Sequence, residues 1–226
     1  AKKKGITVSN IPAYSTERVA HTVIMMILNF ASTMQQQIGM LAKGDRSNFT
    51  KYLQVSHTEV NGKTLGVVGA GHIGMEVIKV AKALGMNILI HTRTPKADGD
   101  GVRYVSLDEL LENSDYITLH CPLNDQTKHM INKETIAKMK DGVVLVNTSR
   151  GGLVKTDDLI EGIRARKFFG VGLDVYEEET PNVFEDRSDE ILEHSTTARL
   201  LSFPNVMITS HQGFFTEEAL RAIAET

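Results

Sequence analysis

The stretch that decides the fold reads Thr64-Leu65-Gly66-Val67-Val68-Gly69-Ala70-Gly71-His72-Ile73-Gly74. Its first half is a short apolar strand, and its second half carries glycines at the spacing G-x-G-x-x-G, where a helical pattern begins. The first glycine allows a tight turn, the second lets the backbone approach a pyrophosphate, and the third lets helix and strand pack closely. Because a helix N-terminus presents free N–H groups to an anion, we predict that this loop binds the pyrophosphate of a nicotinamide cofactor. A glycine-rich turn without a ligand is the alternative.

Short apolar runs alternate with helical patterns along the chain. We predict six strands, at Thr64–Gly69, Asn87–His91, Tyr116–His120, Val143–Asn147, Phe169–Asp174 and Val206–Thr209. The helices between and after them are expected at Ile73–Leu84, from Ser106, from an Asn132 cap to Met139, from a Thr156 cap through Ile163, and from Glu217. This alternation is typical of an α/β fold in which helices cover both faces of a parallel sheet. We predict a Rossmann-type doubly wound sheet of order 3-2-1-4-5-6, in one dinucleotide-binding domain over residues 1–226.

The N-terminal region has a different pattern. A short strand is expected at Ile6–Asn10, followed by a helix that Ser15 caps and that ends near Gln36. The helix is apolar on more than one face, which indicates either deep burial or a subunit interface. We favour the interface, and therefore predict a homodimer through residues 15–36. The polar segment Lys43–Asn61 is predicted to be a surface connection.

Composition narrows the functional classes. The 226 residues have a net charge of -3, which gives no reason to expect nucleic acid or an anionic membrane as partner. Cys121 is the only cysteine, so no disulfide can form within the chain and a cytoplasmic location is expected. The longest apolar run, Val19–Ala31, is too short to span a membrane and is predicted to be a buried helix.

The end of the second strand bears on the choice of cofactor. An Asp or Glu that binds the adenosine ribose hydroxyls is expected there in NAD enzymes. The sequence instead reads Ile90-His91-Thr92-Arg93-Thr94-Pro95-Lys96. Since Thr92, Arg93 and Lys96 suit a 2′-phosphate that a carboxylate would repel, we favour NADP(H) over NAD(H). The alternative is that Arg93 stacks on adenine while either cofactor binds.

Three polar residues follow the fourth, fifth and sixth predicted strands. These are Arg150, Glu179 and His211. Ligands bind at the carboxyl ends of the strands in such sheets, so these side chains are candidates for one reaction site. Each also has a structural interpretation: Arg150 as a helix-cap donor, Glu179 as part of a solvated acidic loop, and His211 as a surface histidine.

With these residues the chain resembles the D-isomer-specific 2-hydroxyacid dehydrogenases. The matching stretches are Gly69–Gly74, His120-Cys121-Pro122, Lys138-Met139-Lys140 with Asn147–Gly152, Leu173–Glu179 and Pro204–His211. The segment Phe184–Glu190 and His211-Gln212 with Phe214-Phe215 look most like the D-lactate dehydrogenase branch. The stretch Lys63–Gly71 looks closer to glycerate and glyoxylate reductases. The two resemblances differ, so the identity of the 2-hydroxy acid is left open.

The resemblance implies a role for each candidate. His211 is the general acid/base, Glu179 stabilises its protonated form, and Arg150 grips the substrate carboxylate through paired hydrogen bonds. Tyr14 and Phe214 match positions that can touch substrate, and no metal is needed. Implied cofactor contacts are Gly69, Gly71, His72, Ile73 and Gly74 at the pyrophosphate, Thr92 and Arg93 at the adenosine end, Cys121, Pro122 and Thr127 on the adenine and ribose side, and Thr148, Ser149, Arg150 and Asp174 near the nicotinamide.

Family members also carry a smaller substrate lobe built from both ends of the chain. The sequence contains neither lobe segment, so we expect this chain alone to bind cofactor with little turnover. Two other hypotheses remain: a non-catalytic NAD(H)-sensing module resembling transcriptional corepressors, and a relative of the adenosylhomocysteinases, which the spacing of the three polar residues disfavours.

Overall fold

The computed structural model describes residues 4–5, 7, 11, 14–49, 55–177, 179 and 195–225. Seven parallel strands form its central sheet: β1 (Thr64–Val68), β2 (Asn87–His91), β3 (Val102–Tyr104), β4 (Tyr116–Leu119), β5 (Val143–Asn147), β6 (Phe168–Leu173) and β7 (Val206–Ile208). Their spatial order is β3-β2-β1-β4-β5-β6-β7. The strand predicted at Ile6–Asn10 lies, apart from Thr7, outside the described residues.

The predicted Rossmann-type order 3-2-1-4-5-6 is confirmed, and β7 extends it by one strand. Strand β3 was not predicted; it pairs in parallel with β2 through Ile88 opposite Val102 and Ile90 opposite Tyr104. The strand predicted as third, at Tyr116–His120, is therefore the fourth. It pairs with the other side of β1, so β1 and β4 lie next to each other at the centre of the sheet.

Alternating side chains of the strands enter two separate cores. In β5, Leu145 belongs to one apolar cluster, while Val144 and Val146 belong to the other. A strand sends successive side chains to opposite faces, so both faces of this sheet are covered. The covering helices are α3 (His72–Ala83) with the N-terminal helix on one face, and α4 (Leu107–Asn113), α5 (Lys133–Lys138) and α6 (Thr156–Arg164) on the other.

The N-terminal helix predicted over residues 15–36 is two helices, α1 (Thr16–Ala31) and α2 (Met34–Ala42). The chain breaks between them, where Thr33 takes a left-handed backbone conformation with φ of 48°. The hydroxyl of Ser32 donates to the Leu28 carbonyl at 2.6 Å and so satisfies a group at the end of α1. Ser15 is the N-cap residue, but its side chain makes no capping hydrogen bond.

Helix α1 is buried within the chain along most of its length. Met26 and Phe30 lie directly on β6, where an added Cβ on Gly172 or Gly170 would fall 2.8 Å and 2.4 Å from their side chains. Deep burial therefore explains most of the apolar surface of this helix. Exposed apolar side chains remain on α1 and α2: Met25, Leu28, Met34, Ile38 and Leu41.

Local capping signals are confirmed at two helices and wrong at a third. Ser106 accepts a hydrogen bond from the Glu109 N–H, and Asn132 forms a capping box at the start of α5. The cap residue of α6 is Lys155 rather than Thr156. Thr156 is the first helical residue, and its N–H donates to a carboxylate from a distant segment.

Two more helices follow, α7 (Ser195–Ser202) and α8 (Glu217–Ala224). Within the described ranges, no helix has the length and apolar character to cross a membrane.

Candidate active site

The glycine loop joins β1 to α3 at the carboxyl edge of the sheet. Gly69 has φ of 99°, a conformation that favours glycine, and its N–H donates to the His91 carbonyl at 2.8 Å. A Cβ on Gly69 would lie 2.6 Å from the backbone nitrogen of Cys121. The loop therefore packs directly on the end of β4, and no side chain fits between them.

The other two glycines of the motif have different surroundings. A Cβ on Gly74 would lie 2.2 Å from the Gly69 carbonyl oxygen, so this glycine allows α3 to pack against the turn. Nothing lies within 4 Å of a Cβ placed on Gly71, which faces a cavity of about 330 Å³. Gly71 is the N-cap residue of α3 and has no side chain to cap the first-turn N–H groups. An open, uncapped helix N-terminus of this kind fits a pyrophosphate.

The residues expected at the adenosine end follow β2. Thr92 is half-buried and Arg93 is exposed, directly after His91 at the strand end. The ring nitrogen Nδ1 of His91 lies 3.2 Å from the Val105 carbonyl oxygen, which holds this strand end. No carboxylate occupies the position after the strand, as the sequence indicated.

Several predicted cofactor contacts meet at the ends of β4 and β5. The Ser149 hydroxyl donates to the Cys121 carbonyl at 2.8 Å, and the Thr127 hydroxyl donates to the Pro122 carbonyl at 2.7 Å. Burial raises the pKa of the Cys121 thiol, which suits a packed wall rather than a nucleophile. These four residues form one corner beside the glycine loop.

His120 is half-buried at the end of β4. Its Nε2 lies 3.0 Å from Thr118 Oγ1, and Thr118 is fully buried. Desolvation lowers the pKa of His120 to about 4, so the ring is neutral at physiological pH.

The turn after β5 presents Thr148 and Arg150. Thr148 Oγ1 is buried and has no hydrogen-bond partner among the described residues. Because a buried hydroxyl rarely goes unsatisfied, this atom suits a ligand contact. Arg150 is exposed, with Nη1 donating to the Ser149 carbonyl at 2.7 Å, and the Asn147 side chain donates to the Arg150 carbonyl. The backbone of the turn is thus fixed while the guanidinium reaches solvent.

The structure brings His211 and Glu179 together. His211 Nδ1 lies 3.2 Å from Glu179 Oε1, and the Glu179 side chain is only 12% exposed. Burial raises the pKa of the Glu179 carboxyl, an effect that the adjacent His211 partly offsets. His211 has φ of 53°, so a turn in the backbone sets the direction of the ring. The pair therefore places a mostly buried carboxylate directly against one nitrogen of the imidazole ring.

Asp174, predicted to lie near the nicotinamide, holds the His211 segment in place. The residue is 2% exposed. Its carboxylate accepts hydrogen bonds from the Thr209 hydroxyl at 2.5 Å and from the N–H groups of Gln212 and Gly213 at 2.9 Å and 2.8 Å. Its carbonyl accepts from the His211 N–H at 2.8 Å. The end of β6 therefore fixes the turn that follows β7.

The two predicted substrate contacts lie against each other. Tyr14 and Phe214 pack edge to face with ring centroids 6.3 Å apart, and Phe214 packs in the same manner on His211 at 6.4 Å. The aromatic pair therefore borders the candidate acid/base.

A second histidine–carboxylate pair is formed by His129 and Glu177, two residues that were not predicted to belong to the site. His129 Nε2 lies 2.5 Å from Glu177 Oε1. The signal that could have pointed to it is the acidic run Glu177–Glu179, interpreted from the sequence only as the setting of Glu179. Among the described residues, no group of three or more His, Cys, Asp or Glu side chains is placed to hold a metal ion.

The family profile described as "D-isomer specific 2-hydroxyacid dehydrogenase, NAD binding domain" matches residues 24–213. The chain belongs to this family. A 2-hydroxyacid dehydrogenase homolog of Zymomonas mobilis is 43% identical over the whole chain, which covers 68% of that protein. An aromatic 2-oxoacid reductase of Clostridium sporogenes is 40% identical over the whole chain and 67% of its own length. The D-lactate dehydrogenase of Aquifex aeolicus, solved with NAD and lactic acid, superposes with a TM-score of 0.89 at 39% identity, over 99% of this chain and 68% of its own.

As the NAD-binding domain of a D-isomer-specific 2-hydroxyacid dehydrogenase, the chain spans about two thirds of the length of these relatives. The open face at Gly71 and the unpartnered Thr148 hydroxyl both fit a nicotinamide dinucleotide. These relatives carry enzyme names, which give no support to the alternative of a cofactor-sensing module. The Phe184–Glu190 segment, compared above with D-lactate dehydrogenases, lies outside the described residues.

Proposed function

We propose that the protein containing this chain interconverts small 2-oxo acids and D-2-hydroxy acids with a nicotinamide cofactor. The contact between His211 Nδ1 and Glu179 Oε1 carries this proposal. It provides a proton donor with a buried carboxylate behind it, at the carboxyl edge of a sheet whose glycine loop suits a dinucleotide. Membership of the dehydrogenase family supports the same reaction.

When bound, the nicotinamide supplies the hydride. In the reducing direction, His211 donates its proton to the carbonyl oxygen of the 2-oxo acid as the carbinol carbon forms. Glu179 orients the imidazole ring through its contact with Nδ1, and the ring is proposed to exchange its proton with the substrate. Arg150 is proposed to bind the substrate carboxylate through two parallel hydrogen bonds, for which its exposed guanidinium is suited. In the oxidising direction, neutral His211 accepts the hydroxyl proton.

For cofactor binding we propose contacts from the glycine loop and the neighbouring strand ends. The pyrophosphate meets the N–H groups at the start of α3, and the Thr148 hydroxyl with Asp174 and Arg150 lies toward the nicotinamide. The full proposed set is Gly69, Gly71, His72, Ile73, Gly74, Thr92, Arg93, Cys121, Pro122, Thr127, Thr148, Ser149, Arg150 and Asp174. NADP(H) is preferred over NAD(H), because Thr92 and Arg93 present no carboxylate to a 2′-phosphate.

The substrate is proposed to be a small 2-oxo acid of the pyruvate, hydroxypyruvate or glyoxylate type. Tyr14 and Phe214 close the space beside His211 and limit the size of the substituent on the carbonyl carbon. The protein is proposed to work in the cytoplasm, where a single unpaired Cys121 is stable. We also propose a homodimer through residues 15–36, for which the exposed Met25 and Leu28 provide contacts.

Steady-state kinetics of the full-length protein test the proposal. His211→Gln is expected to lower kcat for pyruvate, hydroxypyruvate and glyoxylate by about 10²- to 10⁴-fold while cofactor binding persists. His57→Gln, at an exposed histidine outside the site, serves as the matched control and is expected to retain activity. Unchanged turnover in His211→Gln, or wild-type protein inactive on all three acids, would contradict the proposal.

A further inference from the structure

The Glu177 carboxylate joins three segments of the chain. Oε1 contacts His129 Nε2 at 2.5 Å, and Oε2 accepts a hydrogen bond from the Thr156 N–H at 3.1 Å. His129 in turn donates its backbone N–H to the Gly152 carbonyl at 2.8 Å. Both carboxylate oxygens are therefore engaged, one by the loop after β4 and one by the start of α6.

The electrostatics of this contact favour an ionised carboxylate. The Glu177 side chain is 28% exposed. Burial alone would raise its pKa, but the hydrogen bonds from His129 and from the Thr156 N–H outweigh burial and hold the pKa of Glu177 below its usual value. A negative charge at the first turn of α6 is also stabilised by the helix dipole.

Within the described part of the chain, the backbone of Glu179 is linked to this anchor through Tyr176. It lies five residues beyond Asp174, and its N–H reaches only the Tyr176 carbonyl, at 3.4 Å. Among the described residues, its Oε2 is buried without a hydrogen-bond partner. The backbone of Glu179 is thus tied to Tyr176, the residue next to Glu177.

The same short segment packs against the turn that carries Arg150. A Cβ on Gly151 would lie 2.2 Å from the Tyr176 carbonyl carbon and 2.7 Å from the Glu177 nitrogen. The backbones of the two segments are thus in direct contact next to Arg150. Glu177 is therefore two residues from Glu179 and in backbone contact with the turn that carries Arg150.

We propose that Glu177, with His129 as its partner, is a positioning residue that sets the geometry of Glu179 against His211 and of the Arg150 turn. This inference rests on the proposed function, since it assigns Glu177 a task within that same site. Glu177 and His129 act through their neighbours and need not touch substrate or cofactor.

The test compares Glu177→Gln with wild type in the full-length protein, with pyruvate, hydroxypyruvate and glyoxylate as probes. Displacements of about 1 Å at a reacting group cost on the order of 10²-fold in rate, so kcat is expected to fall by about 10- to 100-fold. The pH at which reduction declines should also move lower, because His211 loses part of the support from Glu179. Glu161→Gln removes an equal charge from the exposed face of α6, where the side chain is 67% exposed, and should leave both quantities unchanged.

His129→Asn provides a second, independent variant. Asn tolerates the left-handed conformation of residue 129, which has φ of 53°, but is too short to reach the carboxylate. It should also lower kcat. In the double variant with Glu177→Gln, the loss of kcat should be smaller than the two single losses combined. Thermal unfolding and cofactor titration of each variant establish that the folded, cofactor-binding state persists.

The outcomes separate this inference from the function on which it rests. If His211→Gln abolishes turnover while Glu177→Gln and His129→Asn keep wild-type kcat and pH profile, the positioning role is wrong and the proposed function stands. If both variants lower only the unfolding temperature, the pair is structural and the inference is overturned. If His211→Gln retains turnover, the proposed function itself fails.

Discussion

Asp174 Oδ2 accepts a hydrogen bond from the Gly213 N–H at 2.8 Å, across 39 residues of chain. A Cβ on Gly213 would lie 2.7 Å from the same oxygen, so the approach depends on glycine. With Oδ1 engaged by Thr209 and Gln212, the buried carboxylate fixes the backbone on both sides of His211. The acid/base candidate is therefore held by the end of the neighbouring strand as well as by its own loop.

Replacing Asp174 by Asn tests this anchor. Asn turns one acceptor oxygen into an NH₂ group that would face backbone N–H donors, so we expect a loss of about 1–3 kcal/mol in the free energy of unfolding. Turnover should fall more than cofactor affinity, because His211 shifts. Urea unfolding and steady-state kinetics measure the two effects. Asp125→Asn, at an exposed position in the loop after β4, should change the free energy of unfolding by less than about 0.5 kcal/mol; equal effects of the two substitutions would argue against the anchor.

The glycine loop offers a pair of substitutions with opposite outcomes. Gly71→Ala places a Cβ in open space, so stability should be unchanged while NADH and NADPH binding weaken by tenfold or more, about 1.4 kcal/mol. Gly74→Ala forces a Cβ to 2.2 Å from the Gly69 carbonyl oxygen, so the folded state itself should be destabilised. Fluorescence titration and thermal unfolding distinguish the two. Wild-type cofactor affinity in Gly71→Ala would show that the pyrophosphate lies elsewhere.

Cofactor preference is tested at Thr92. Thr92→Asp adds the carboxylate that this strand end lacks, which repels a 2′-phosphate and can accept hydrogen bonds from ribose hydroxyls. The ratio of NADPH to NADH affinity should fall by about tenfold or more, a change of about 1.4 kcal/mol. Thr94→Asp, two residues further along, controls for the added charge. A ratio that stays constant in Thr92→Asp would refute the proposed preference.

His120 predicts a pH-dependent stability. Its pKa is about 4 in the folded protein against an ordinary 6.5, so between these values the unfolded chain binds a proton that the folded chain does not. Stability therefore rises with pH across this window and is lost as the pH falls, by roughly 3 kcal/mol in total. His120→Gln should remove this component, whereas His57→Gln at an exposed site should keep it. Parallel stability profiles for wild type and His120→Gln between pH 6.5 and 4 would contradict the assignment.

The parts of the fold that could be predicted are marked by residues that lie close together in the sequence. The loop from Gly69 to Gly74 combines turn, helix start and anion site within six residues, and Asn132 caps a helix through residues three positions away. By contrast, β3 spans only three residues with exposed Arg103 at its centre, which is too short for a periodic pattern. The break between α1 and α2 depends on the left-handed backbone conformation of Thr33. β-branched residues seldom adopt this conformation, so the sequence gives no sign of it.

Within the candidate site, residue types were predictable but their partners were not. The strand ends indicated Arg150, Glu179 and His211, since chemistry gathers at that edge of a parallel sheet. The contacts of Asp174 and Glu177 join segments 21 to 48 residues apart, and such pairing depends on tertiary packing rather than on spacing. For the same reason the Glu177 carboxylate, and not a neighbour in sequence, meets the first N–H group of α6.

The packing of α1 on β6 has a consequence for the order in which the domain folds. Phe30 and Met26 pack against Gly170 and Gly172, which are made about 140 residues later. Until that part of the sheet exists, the face of α1 that packs on β6 stays uncovered, although α1 can already meet its other partner, α3. Contacts of such long sequence separation slow folding, and α1 can complete its packing only after β6 has formed.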